Sequence, residues 1–194
     1  MLTTNINFKN FKIKKNTKKI KKKLQKLLHE DNQVIKSLRK TYKNSYNRKL
    51  INKYNKGKQI DIKARQFLKK DGLDYAHGTG HGVGFFLNVH EGPQSISKYN
   101  TIKLEEGMIL SNEPGYYKNG QFGIRIENLV YIKKNNKKLN FENLTLAPIE
   151  KDLINFNLLT KKEKDYLFNY HLNIYAKLSK FLNREEKKWL ASLI

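Results

Sequence analysis

Three of the five histidines in this 194-residue chain, His77, His81 and His90, fall within fourteen residues in the segment HGTGHGVGFFLNVH. Imidazole is the side chain that changes charge nearest neutral pH and a frequent metal ligand, so three in close succession point to acid–base or metal chemistry. A single histidine there would more simply be a satisfied core residue. Two glutamates extend the pattern: Glu113 in MILSNEPGYY and Glu127 in FGIRIEN, each closing an apolar run of strand character. A carboxylate at the end of a buried strand needs a cation or hydrogen-bond partner, or it stays protonated. For Glu127 the nearby Arg125 offers a structural ion pair as the alternative to a metal. Glu113, followed by Pro114 and Gly115, has no such neighbour in the sequence. The chain has no cysteine, which excludes thiolate ligands, disulfides and a cysteine nucleophile.

The elements that must position these residues follow from periodicity. Residues 14–28 and 33–54 place sparse apolar positions at helical spacing in a lysine-rich background. Residues 60–71 put Ile60, Ala64, Phe67 and Leu68 on one helical face, and Gly72 is placed to end that helix. The texture then changes to short strand-like runs punctuated by glycine: Val83 to Val89, Met108 to Asn112, Gly123 to Ile132 and Leu139 to Ile149. In the first run, alternation would point Val83, Phe85, Leu87 and Val89 one way and Phe86, Asn88 and His90 the other. From Thr160 the helical period returns. Thr160 and Glu163 have the spacing of a capping box, and Leu167, Tyr170, Ile174 and Leu178 form a stripe; a last helix spans Arg184 to Leu193.

The formal charge of +23 is unevenly spread: residues 1–73 hold 23 Lys and Arg against four Asp and Glu, whereas residues 74–194 hold 17 against 13. Only five of the 40 basic residues are arginine, the side chain suited to bidentate phosphate contacts, so the excess reads as a solvated lysine surface. Polyanion binding is expected only as nonspecific, salt-sensitive association. No apolar run approaches the roughly 20 residues that a bilayer span requires, and the first residues lack the apolar stretch of a signal peptide. No membrane partner is therefore expected, and the expected location is the cytoplasm.

The segments DYAHGTGHGVGFFLNVHEGP, EEGMILSNEPGYY and FGIRIENLVYI, in this order, resemble the signature segments of Xaa-Pro aminopeptidases (aminopeptidase P), a family of pita-bread metallopeptidases. The likeness runs from about Asn55 to the C-terminus, where FENLTLAPIEKDLI, LLTKKEKDYLFNYH and KKWL resemble the family's C-terminal extension. The resemblance implies an α+β fold: part of a pita-bread domain with a curved antiparallel sheet over 55–150 and a helical extension over 151–194, preceded by the lysine-rich helical segment over 1–54, which matches the family poorly. It implies a site for two metal ions, usually manganese, with other divalent metals as alternatives. His81 matches the histidine ligand, Glu113 a glutamate ligand also credited as general base, and Glu127 the bridging glutamate. His77 and His90 match two pocket histidines that assist proton transfer, and Arg125 matches an arginine that orients a ligand carboxylate. Substrates would be peptides with proline second, and a homodimer is compatible with the family.

One departure qualifies this. The family's two aspartate ligands would fall near Asn7 to Lys18, where the sequence reads NFKNFKIKKNTK. Without them, His81, Glu113 and Glu127 could form at most a three-ligand site for one ion, with weak affinity and little activity in the isolated chain. The expectation is a truncated or split form, the latter completed by an upstream fragment. The rival reading is a catalytically inactive pita-bread-derived binding protein for polyanions.

Overall fold

The computed structural model describes residues 56–194 apart from 87 and 137. The helices expected over 14–28 and 33–54 lie outside the described residues.

Helix α1 (Gly57–Lys70) buries Ile60, Ala64 and Leu68, each four residues after the last, while Asp61 and Arg65 line the adjoining buried strip. Gly72 ends it as expected. Its φ of 70° is the left-handed conformation that glycine accepts without penalty, and Leu73 N–H reaches back to Leu68 O at 2.9 Å. Leu73 then packs against Leu68, Tyr75 and Tyr116.

Seven short strands follow: β1 (Gly80–His81), β2 (Ser95–Ile96), β3 (Ile109–Asn112), β4 (Gly115–Lys118), β5 (Phe122–Arg125), β6 (Asn128–Asn135) and β7 (Lys138–Asn143). All pair antiparallel, as β1–β2, β3–β6–β7 and β4–β5. The main core lies where α1 covers the three-stranded sheet, with Ile60, Ile96, Leu104, Leu110, Val130 and Phe141 buried together.

Three expectations need correction. The run Val83 to Val89 is not a strand. It is a loop closed at its base by Glu91 N–H to Gly82 O (3.0 Å), with Gly84 N–H to Asn88 O (2.9 Å) above, and Phe85 and Phe86 are 88% and 91% exposed. Glycines at 82 and 84 let the backbone fold onto its own return limb, so the aromatic residues find no partner strand. The run Gly123 to Ile132 is two strands in different sheets, broken at Ile126 and Glu127. Similarly, the strand expected over Leu139 to Ile149 ends at Asn143.

The C-terminal part is helical as expected. Helix α2 (Lys161–Leu178) begins with the capping pair, the Glu163 carboxylate accepting from Thr160 N–H at 2.8 Å. It buries Leu167, Tyr170 and Ile174, and α3 (Arg184–Ala191) closes over it through Leu190. Among the described residues no helix is long and apolar enough to cross a membrane.

Candidate metal centre

The two glutamates face each other because of strand register. The β3–β6 ladder ends at the pair Asn112 and Asn128, and the β4–β5 ladder resumes at Gly115 and Arg125. Between them lie Glu113 and Pro114 on one side and Ile126 and Glu127 on the other. Pro114 has no N–H to give, so regular pairing lapses, and only Ile126 N–H to Pro114 O at 3.4 Å crosses the gap. The ladder is interrupted there, and the interruption carries both carboxylates.

His81 reaches the same place from β1. Its N–H donates to Ser111 Oγ at 2.8 Å, and the Ser111 hydroxyl donates to Glu113 Oε1 at 2.9 Å. The close approach of β1 to β3 requires Gly80, since a Cβ there would lie 2.0 Å from Ser111 O. The His81 Nδ1–H donates to Gly82 O at 3.0 Å, which leaves Nε2 facing Glu113 Oε1, 3.5 Å away. Donor atoms of His81, Glu113 and Glu127 all lie within 4.8 Å of one another.

One imidazole and two carboxylates suit a borderline-hard divalent ion such as Mn²⁺. Donors sharing one such ion lie up to about 4.2 Å apart, so a small closing movement would bring all three into a single shell. The donor set thus fits one ion.

The partners of the glutamates differ from the sequence expectation. Arg125 pairs with Glu113, Nη1 to Oε2 at 3.2 Å, and it is Glu113 that is buried while Glu127 is exposed. The register explains this: Arg125 stands opposite Gly115, two residues after Glu113, so its side chain reaches across the hairpin. Arg125 is held charged, its pKa raised first by the Tyr117 hydrogen bond and further by Glu113 and Glu127.

His77 and His90 stand on either side of this cluster. His77 donates Nδ1–H to Gly78 O at 2.8 Å and accepts the Tyr117 hydroxyl at Nε2, also at 2.8 Å. Tyr117 in turn accepts Arg125 Nε–H at 2.9 Å, so an ion pair and two hydrogen bonds link Glu113 through Arg125 and Tyr117 to His77. The His90 ring is exposed and meets the His81 ring edge to face, centroids 4.3 Å apart.

Sequence reading missed Ser111, Tyr117 and the support beneath His77. Alternation along β3 does place Ser111 on the face of Glu113, a signal that was available. The support is an ion cluster in which Arg65 and Asp61 are buried and Asp74 is exposed. Arg65 bonds Asp61 at 2.9 Å, Asp74 at 2.7 Å and the carbonyls of Tyr75 and His77, while Asp61 accepts the Thr79 hydroxyl at 2.6 Å. Burial opposes the Arg65 charge, yet its pKa is raised because Asp61 and Asp74 bind it. Burial likewise opposes Asp74, whose pKa the Arg65 bond nonetheless holds down. This cluster ties α1 to the loop that carries His77.

Comparison with known proteins agrees with this architecture. Residues 28–134 match the model of metallopeptidase family M24, and residues 137–193 match that of the C-terminal region of peptidase M24. The chain belongs to metallopeptidase family M24, and its fold is part of that family's pita-bread domain. It is 48% identical over 147 residues to a probable Xaa-Pro aminopeptidase P of Botryotinia fuckeliana, covering 69% of this chain and 22% of that protein. It is 50% identical over 147 residues to a protein of the same description from Coprinopsis cinerea, covering 69% and 24%. The crystal structure of an X-prolyl aminopeptidase from Caenorhabditis elegans, described as a cytosolic enzyme with a di-nuclear active site, superposes with a TM-score of 0.64. That likeness is at 38% identity and covers 71% of this chain and 24% of the other. The chain thus spans about a quarter of the length of the relatives it matches.

Proposed function

We propose that this chain carries the C-terminal share of the catalytic apparatus of an Xaa-Pro aminopeptidase, which removes an N-terminal residue from peptides with proline second. The observation that carries this is the convergence of His81, Glu113 and Glu127 donor atoms within 4.8 Å. These three residues would hold the metal, manganese by donor chemistry, and a bound ion there would supply a water acidified toward neutral pH. Cleaving a bond to a proline nitrogen also requires a proton for the leaving group. His77, whose Nε2 takes the Tyr117 hydroxyl, and His90, beside His81, are the groups to hold and pass that proton. Glu113 serves as both ligand and base, and Arg125 fixes its orientation.

The first 55 residues contain only Glu30 and Asp31 as carboxylates, both at the end of a lysine-rich stretch. A second ion therefore depends on carboxylates from outside residues 1–194. A cytoplasmic setting accords with a cysteine-free composition.

Calorimetric titration of the full chain with Mn²⁺ tests this reading. One weak equivalent, abolished by Glu127→Gln, is expected, together with negligible hydrolysis of Xaa-Pro peptides until a relative's upstream catalytic segment is added. Two tight equivalents in the chain alone, or binding indifferent to Glu127→Gln, would contradict it.

A further inference from the structure

Behind the glutamate pair lies a polar layer that the site does not use. Asn112 and Asn128, the residues adjoining Glu113 and Glu127, stand directly opposite each other at the last pair of the β3–β6 ladder, and each is only 2% exposed. Alternation turns them away from Ser111 and Glu113, toward the face that carries Leu110 and Val130. Both polar atoms of the Asn112 amide are buried without a hydrogen-bond partner. Asn128, by contrast, is engaged on two sides: its Nδ2 donates to Asn143 Oδ1 of β7 at 3.4 Å, and its Oδ1 faces the C-terminal extension. The Tyr170 hydroxyl of α2 bonds Ala147 O at 2.8 Å and lies 3.2 Å from Asn128 Oδ1.

We propose that Tyr170 is a positioning residue for the metal centre: by holding Asn128 away from Asn112, the C-terminal extension sets the strand end from which Glu127 projects toward Glu113 and His81. Directly opposed residues in an antiparallel pair have Cβ atoms about 4.5–5.5 Å apart, close enough for two amides to bond. A buried unpaired amide is costly, so Asn112 is a standing competitor for Asn128. Removing the Tyr170 hydroxyl leaves Asn128 Oδ1 free to accept from the Asn112 amide, while Asn128 Nδ2 keeps Asn143. The strand end would then shift by a side-chain repacking rather than by unfolding. Residues that orient metal ligands from behind change affinity about 10- to 100-fold when lost, and an indirect route through Asn128 belongs at the lower end.

This inference rests on the proposed metal site, and the test separates the two. Mn²⁺ affinity of the full chain is measured through paramagnetic broadening of the His81 ring resonances, which reports binding into the millimolar range, for wild type, Tyr170→Phe, Ile174→Val and Glu127→Gln. Tyr170→Phe should weaken binding about tenfold at a temperature where the chain is fully folded. Ile174→Val, a buried change on the same helix, should lower the melting temperature and leave affinity unchanged. Wild-type affinity in Tyr170→Phe, with Glu127→Gln defective, would overturn the positioning role alone. Equal weakening by Ile174→Val would reduce Tyr170 to a structural part. Undiminished binding by Glu127→Gln would overturn the site and this inference with it.

Discussion

Ser111 shows how much of the centre hangs on a small group. Its hydroxyl receives the His81 N–H and gives its own hydrogen to Glu113, joining two strands and two proposed ligands through one oxygen. Ser111→Ala leaves a backbone donor and a buried carboxylate oxygen each short of a partner, which should cost about 1–3 kcal/mol in chemical denaturation. Unchanged stability would mean that water replaces the hydroxyl. At this scale the identities of His81, Glu113 and Glu127 were readable from residue type and motif. The pairing of Arg125 with Glu113 was not, because it depends on hairpin register. Nor was the His77–Tyr117 bond, which joins residues 40 apart in sequence.

Among the elements, α2 was the most legible, from its capping pair and apolar stripe, but the residue that fastens it was passed over. His171 accepts Ile149 N–H at Nε2 (3.1 Å) and donates Nδ1–H to Leu193 O (2.8 Å), tying the segment before α2 and the end of the chain to one helix. Burial pushes its pKa below the usual 6.5, opposed by the Leu193 bond and assisted by Lys151. The folded state therefore prefers neutral imidazole. Its contribution is complete above the unfolded pKa near 6.5 and is lost as pH falls from there through the lower folded value. Thermal melts should show a lower Tm at pH 5.5 than at pH 7.5, and His171→Phe should flatten that difference while costing about 1–3 kcal/mol at pH 7.5. A pH dependence unchanged by the substitution would assign the effect elsewhere. The Val83 to Val89 loop taught the opposite lesson: an aromatic, β-prone run stayed unpaired because its glycines let the backbone close on itself.

For the whole molecule the dominant number is the net charge of +23. A chain so basic should bind mixed-sequence RNA at low salt, with affinity falling at least about tenfold between 50 and 200 mM salt and with little preference among sequences. Filter binding against several unrelated RNAs checks this. Tight, sequence-selective binding that survives 200 mM salt would contradict this, since net charge alone supplies neither selectivity nor salt resistance.

The sequence by itself carried the family in its signature segments, the candidate donors His81, Glu113 and Glu127 in their residue types, and the helical tail in its capping pair and apolar stripe, all of them local properties of the chain. Only the tertiary structure decided that Pro114 interrupts a hairpin where the glutamates must meet, that Gly80 lets His81 approach Ser111, and that Tyr170 reaches Asn128 behind the site. Each of these is a long-range contact set by strand register and packing. Periodicity says which face a residue occupies; it does not say what will stand opposite.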